Sequence, residues 1–155
     1  MEIVHTPTVR RATDSDVLTP EDIAAVLRAA GEGRHGVRDH AMLLTLYHHG
    51  LRVSELCRLT LADLDRSRQL LVIRGAKFGK DRLVPFGPRL GRLLEQHVAL
   101  RRRRRGARAR DAPLFSVRGG RAVNRHSVDT VFRHVLPYVS GPFPAEAAAP
   151  RVHDL

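Results

Sequence analysis

An arginine beside a glycine break is the first feature of this sequence that could do chemistry. Arg52 lies within residues 50–56 (GLRVSEL), directly before a predicted helix start. A planar guanidinium donates two parallel hydrogen bonds to a phosphate, and free N–H groups at a helix N-terminus also attract anions. Glu55 follows one helical turn later and could orient the guanidinium. The spacing is compatible with a phosphate-binding corner, but taken alone it favours a surface ion pair between Arg52 and Glu55.

The two lysines are the second feature. The chain contains 25 arginines but only Lys77 and Lys80, which lie three residues apart in a glycine-containing turn. The side-chain pKa of lysine, about 10.4, allows it to release a proton in a perturbed site, whereas arginine effectively never does. A lysine kept in an arginine-rich chain could therefore serve as general acid for an alkoxide leaving group. A solvated hairpin tip is the alternative interpretation.

A histidine close to the last residue is the third feature. His153 stands in residues 151–155 (RVHDL) and could act as an acid, a base or a hydrogen-bond donor to a phosphate. A histidine taken alone in such a position usually has none of these roles.

Composition narrows the class of partner. The chain of 155 residues has a formal net charge of +11, and 43% of its residues are hydrophobic. Such a charge on a globular composition favours a polyanionic partner, with nucleic acid first. A single cysteine, Cys57, excludes an internal disulfide framework, and we find no signal-peptide pattern and no membrane-spanning run. We expect a soluble cytoplasmic protein without a metal or small-molecule cofactor.

The first half of the sequence predicts three helices after a polar arm at residues 1–17. Thr19 is a predicted N-cap, Pro20 suits the first helical position, and the glycines of residues 31–33 end the helix. A second helix is predicted from about residue 37 to residue 48. A third, short helix begins at Ser54 or a neighbour, directly after Arg52.

The second half changes to strand-like patterns before returning to helices. Residues 69–74 and 81–86 predict a β-hairpin, and Pro85 favours an edge position. We expect a third short strand at residues 114–116. One helix is predicted from about Pro88 into the arginines at 101–105, and another after Asn124. The fold class predicted from these elements is a mostly helical α+β domain with a small antiparallel sheet.

These motifs, in this order, resemble the catalytic domain of the tyrosine recombinases, the phage integrase family. The resemblance runs from residue 18 to residue 155. The matching segments are residues 18–23 (LTPEDI), Arg38 with Asp39, residues 50–56 (GLRVSEL), residues 75–85 (GAKFGKDRLVP), Leu114 with Phe115, and residues 152–155 (VHDL).

The resemblance implies a reaction on double-stranded DNA. In this family a tyrosine attacks a phosphodiester, forms a 3′-phosphotyrosine bond and releases a 5′-hydroxyl, without a metal. By position, Arg52 matches the first phosphate-binding arginine, Lys77 the general acid of the hairpin, and His153 the histidine of the His-x-x-Arg box. Glu55 would support Arg52. Contacts to the DNA backbone would come from Arg74, Lys80 and Arg82.

The sequence also departs from the family pattern. We find no match to the second arginine that should follow residues 154–155, and neither Tyr47 nor Tyr138 occupies the position of the nucleophile. We therefore expect residues 18–155 to be a partial catalytic domain that lacks the C-terminal helices and is inactive alone. The arm at residues 1–17 is too short for the DNA-clamping domain that usually precedes it. Other recombinase subunits are expected partners.

Two other readings stay open from the sequence. A non-catalytic binder of nucleic acid, RNA included, would depend on the arginines at 101–105 together with Arg108 and Arg110. A relative of the type IB topoisomerases would use the same arginine and lysine chemistry. A metal nuclease is disfavoured because no carboxylate cluster has ligand-like spacing.

Overall fold

The computed structural model describes residues 18–75, 79–105 and 109–138 of the chain. These residues form five α-helices and a small sheet. The elements in order are α1 (Pro20–Glu32), α2 (Gly36–His49), α3 (Val53–Arg58), β1 (Leu64–Asp65), β2 (Leu70–Ile73), β3 (Arg82–Pro85), α4 (Pro88–Arg105) and α5 (Arg125–Val135). The α+β class with one small antiparallel sheet is confirmed.

The start of α1 follows from its first four residues. Thr19 Oγ1 accepts a hydrogen bond from the backbone N–H of Asp22, and the Asp22 carboxylate accepts one from the backbone N–H of Thr19. This reciprocal cap satisfies N–H groups that have no partner inside the helix. Pro20 occupies the first helical turn, where its missing N–H costs nothing. The predicted cap and start of α1 are both confirmed.

Two glycines set the path of α2. At its first residue, Gly36, a Cβ would lie 2.0 Å from the carbonyl oxygen of Gly31, so only glycine permits this approach of α1 and α2. At its other end, Gly50 has a φ of +54°, in the left-handed region that favours glycine. The chain reverses there and places Arg52 directly before α3.

The sheet has the order β1-β2-β3, and both pairs of strands are antiparallel. In the register of β2 with β3, Ile73 pairs with Arg82 and Leu70 pairs with Pro85. The predicted hairpin is confirmed, and Pro85 lies at the end of an edge strand. Below the tip, the Asp81 carboxylate accepts a hydrogen bond of 2.9 Å from the backbone N–H of Gly75 and closes the base of the turn.

The prediction of a strand at residues 114–116 was wrong. The third strand of the sheet is β1. Within residues 114–116, Ser116 forms an isolated bridge with Ala122, and the preceding Pro113 forms one with Thr60. Leu114 and Phe115 are buried because they fill the core beneath this loop. Two adjacent apolar residues look the same in the sequence whether they belong to a strand or to a buried loop.

The core is a single cluster of buried apolar side chains contributed by all five helices and the sheet. Its largest members include Phe115, Phe132, Met42 and Leu44, each with an exposure of 1% or less. The packed helices fix the two ends of α2 as rigid positions. No helix in the described part of the chain is both long and apolar enough to span a membrane.

Candidate functional site

Arg52 is the N-cap residue of α3, and its side chain extends into solvent. Its backbone N–H donates a hydrogen bond of 2.8 Å to Oε2 of Glu55. Its Nη1 lies 3.8 Å from Oε1 of the same carboxylate, while 65% of the side chain remains exposed. The backbone of Arg52 is thus fixed, and most of the guanidinium remains available to an anion.

Glu55 joins this arginine to the sheet. Its side chain is only 3% exposed, and Oε2 accepts a hydrogen bond of 3.0 Å from Nη2 of Arg82 on β3. We call Arg52, Glu55 and Arg82 the Glu55 corner. Because a buried carboxylate is costly without partners, the two guanidiniums stabilise its charge. Two positive charges against one negative leave the corner with a net charge of +1.

Arg74, at the end of β2, is paired separately. Its Nε donates a hydrogen bond of 2.6 Å to Oδ1 of Asp63, whose side chain is 3% exposed. Oδ2 of Asp63 accepts two more hydrogen bonds, from the backbone N–H and the hydroxyl of Thr60, both 2.8 Å long. The hydrogen bond to Asp63 raises the pKa of Arg74 above its ordinary value. A structural role for Arg74 is therefore established alongside any contact with a ligand.

A cavity of about 610 Å³ lies between the two clusters. Its lining includes the Glu55 and Asp63 carboxylates, the side chain of Arg74, and Arg58 at the end of α3. The cavity therefore contains as many carboxylates as arginines, and its charge is balanced.

His49 adds a neutral group near the Glu55 corner. It is the last residue of α2, and its Nε2 is enclosed without a hydrogen-bond partner among the described residues. Burial lowers the pKa of His49, and the charges of His48 and Arg82 lower it further. The imidazole is therefore uncharged near neutral pH and contributes no positive charge to the corner.

The structure brings together three of the predicted site residues: Arg52, Glu55 and Arg82. Lys80 is exposed two residues before Arg82, and Arg74 lies apart on Asp63. Lys77 and His153 lie outside the described residues. The described residues contain no group of three or more His, Cys, Asp or Glu side chains placed to hold a metal ion.

Sequence reasoning missed three residues around the site, and two of them left a signal. Asp63 follows Thr60 at the three-residue spacing of a capping box, the same spacing that predicted the start of α1. Arg58 follows Glu55 at helical spacing. The position of His49 beside Arg82 depends on long-range packing, so the local sequence carried no signal for it.

Known sequences place the chain in a family. The model of the phage integrase family matches residues 16–141. The tyrosine recombinase XerC of Pelobacter propionicus is 32% identical over 147 residues, which cover 88% of this chain and 47% of the relative. XerC of Myxococcus xanthus is 41% identical over 108 residues, covering 67% of this chain and 34% of the relative. The chain thus spans less than half the length of these curated relatives.

Solved structures agree on the fold. The crystal structure of XerA recombinase superposes with a TM-score of 0.70 at 21% identity, covering 96% of this chain and 48% of that one. The integrase of transposon Tn1549, solved with transposon right end DNA, gives a TM-score of 0.65 at 18% identity, covering 94% and 52%. At these identities the likeness concerns the fold alone. The family match and the sequence relatives show which family this is: the chain belongs to the phage integrase family, and it has the fold of the tyrosine recombinases.

Proposed function

We propose that the chain binds double-stranded DNA through a backbone phosphate held at the Glu55 corner, as part of a site-specific recombinase. One observation carries the proposal. A single buried carboxylate, Glu55, holds Arg52 and Arg82 from two different elements, and their side chains remain 65% and 43% exposed. This is a preorganised pair of cations with free donors.

The chemistry of phosphoryl transfer explains why such a corner is useful. Attack on a phosphodiester builds negative charge on the non-bridging oxygens, and fixed cationic donors stabilise that charge without reorganising. Arg52 would donate to these oxygens. Arg82 would contribute positive charge beside it, although one of its donors is already committed to Glu55.

The remaining roles come from the family resemblance. Lys77 would protonate the departing 5′-oxygen, and His153 would donate a hydrogen bond to the same phosphate. Lys80 and Arg74 would contact the DNA backbone on either side. Because Arg74 is bound to Asp63, we propose that its contact is weaker than that of Lys80. The substrate would be cytoplasmic DNA, and further recombinase subunits would share it.

We also propose that these 155 residues bind DNA without cleaving it. Cleavage in the family needs a tyrosine nucleophile, and nucleophile and phosphate clamp act as a unit. Tyr47 lies on α2, where it is half-buried and packs against the core. Tyr138 follows α5 in a short turn and matches no nucleophile motif. A pair of arginines at the phosphate then gives affinity but no covalent step.

Two assays on the 155-residue chain test this proposal. Fluorescence anisotropy with a labelled 24-base-pair duplex should show binding that weakens steeply as salt increases, because counterions are released from the DNA. Denaturing electrophoresis of the same mixture should show no covalent protein–DNA adduct. Absence of binding at low salt would refute the DNA-binding proposal, and a denaturant-resistant adduct would refute the proposed inactivity.

A further inference from the structure

A second cavity, of about 560 Å³, lies at the opposite end of α2 from the Glu55 corner. It is bounded by the α1–α2 connection, the later turns of α4, and the turn Arg118–Gly120. Four arginines line it, and we call it the arginine cavity: Arg34, Arg38, Arg101 and Arg118.

Charge distinguishes this cavity from the one beside Glu55. No aspartate or glutamate is among the residues lining the arginine cavity. Beside the cavity, the Asp39 carboxylate forms an ion pair of 2.7 Å with Nη2 of Arg38. Arginines therefore outnumber carboxylates among the residues that line the cavity.

Two of the arginines are built into the wall. Arg38 donates a hydrogen bond of 3.2 Å to the carbonyl oxygen of Ser116. Arg101 donates to the carbonyl oxygens of Pro113 and Leu114. Arg34 and Arg118 are exposed, and neither makes a hydrogen bond or ion pair with a described residue. Their donors are therefore available to a ligand.

The buried histidine in the wall is consistent with a positive local potential. His97 is 4% exposed. Its pKa is lowered to about 4, mainly by burial and also by the charges of Arg101 and Arg38. Its uncharged ring therefore adds nothing to the repulsion among the arginines.

We propose that the arginine cavity binds phosphate groups, and that Arg34 and Arg118 are the residues that engage them. Guanidiniums bind both phosphates and carboxylates in bidentate fashion. The unbalanced charge favours phosphate, because a phosphodiester backbone supplies closely spaced charges where an isolated carboxylate supplies one.

If the proposed DNA binding holds, the backbone of the same DNA could supply these phosphates, and the length of α2 sets the distance it would have to span. The 14 residues of α2 span about 20 Å at 1.5 Å per residue. Phosphates follow one another about every 3.4 Å along one strand of a duplex. A duplex seated at the Glu55 corner and running parallel to α2 would therefore reach the arginine cavity about six base pairs away.

The test compares two double variants that remove the same charge. Arg34→Gln with Arg118→Gln alters the cavity, while Arg28→Gln with Arg92→Gln alters exposed arginines on α1 and α4 that do not line it. Each is titrated with tripolyphosphate by calorimetry and with a 24-base-pair duplex at several salt concentrations.

We expect the cavity variant, unlike its control, to bind tripolyphosphate more weakly than wild type does. If the phosphates belong to DNA, the plot of log K against log[salt] for the cavity variant should also be less steep by about 1.8, because each of the two lost phosphate contacts contributes about 0.9. Over a fourfold increase in salt this slope difference corresponds to about tenfold in affinity. A loss for tripolyphosphate with DNA binding equal to the control would assign the cavity to free polyphosphate.

Equal behaviour of the two variants with both ligands would overturn the proposal, as would preferential binding of poly-glutamate over tripolyphosphate at the cavity. The proposed function fails separately. If the cavity variant loses tripolyphosphate affinity relative to its control but wild type binds no DNA, the cavity proposal stands and the DNA proposal falls. If Arg52→Gln weakens DNA binding while the cavity variant and its control bind both ligands equally, the DNA proposal stands and the cavity proposal falls.

Discussion

The carboxylate of Glu55 accepts a hydrogen bond of 3.0 Å from Nη2 of Arg82, a residue 27 positions further along the chain. This bond ties the short helix α3 to the edge strand β3. It places Arg82 on the same carboxylate that holds the backbone of Arg52. The phosphate-binding corner is therefore assembled around one buried acid rather than around the arginines themselves.

Replacing Glu55 should weaken the fold more than replacing an exposed acid. Glu55→Gln removes the charge that both arginines share. We expect the free energy of unfolding to fall by about 1–2 kcal/mol, a modest value because both arginines are partly solvated. Glu95→Gln, on the exposed face of α4, should change it by less than about 0.5 kcal/mol. Equal stabilities in urea denaturation would contradict the central role of Glu55.

Gly50 should be required for its backbone conformation. At its φ of +54°, alanine pays about 1–2 kcal/mol, so Gly50→Ala should lower stability by about that amount. Gly87→Ala is the matched control, because its φ is not positive and no atom lies within 4 Å of a Cβ there. Because Gly87 is the N-cap residue of α4, where alanine is somewhat less favourable than glycine, that control should lower stability by less than about 1 kcal/mol. Thermal denaturation of both variants distinguishes backbone strain from a general effect of the substitution.

Gly36 should be required for close packing of α1 and α2. A Cβ at this position would lie 2.0 Å from the backbone oxygen of Gly31, which cannot move aside as a side chain would. We expect Gly36→Ala to destabilise the chain by about 2 kcal/mol or more. At Gly33 the nearest atom to a Cβ is 4.0 Å away, so Gly33→Ala should be tolerated. A Gly36→Ala protein with unchanged stability would show that the two helices do not pack so closely.

His97 should make stability depend on pH. Its Nε2–H donates a hydrogen bond of 2.9 Å to the carbonyl oxygen of Leu114, and burial lowers its pKa from 6.5 to about 4. The unfolded chain therefore binds the proton more tightly than the folded chain. The full contribution is present above pH 6.5 and is lost as the pH falls toward 4, by about 3 kcal/mol.

The variant His97→Phe isolates this contribution. The difference in unfolding free energy between wild type and His97→Phe should be constant above pH 6.5 and should shift against the wild type between pH 6.5 and pH 4. Chemical denaturation at several pH values measures it. A difference that is constant over the whole range would show that the ring is not held in its neutral form.

Local sequence predicted the parts of this structure that depend on neighbouring residues. Thr19 and Pro20 predicted the start of α1, and the three-residue spacing of Arg52 and Glu55 predicted their association. The pairing of Arg82 with Glu55 and that of Asp63 with Arg74 could not be predicted, because each joins residues that are far apart in the sequence, 27 and 11 positions respectively. Such pairs depend on how the sheet packs against α3.

The smallest elements were the hardest to predict. The strand β1 is only two residues long, Leu64–Asp65, which is too short to show an alternating pattern. Arg74 was expected to contact DNA, and the structure shows in addition that it is bound to Asp63, a partner that the sequence did not indicate. Its role at the DNA remains a prediction, as do those of Lys77 and His153.

Salt-dependent DNA binding of Arg52→Gln tests the central claim most directly. Arg28→Gln, with the same charge change on α1, is the control. If the Glu55 corner holds a backbone phosphate, Arg52→Gln should reduce the slope of log K against log[salt] by about 0.9, while Arg28→Gln leaves it unchanged. Identical slopes and affinities for the two variants would mean that Arg52 does not contact the DNA.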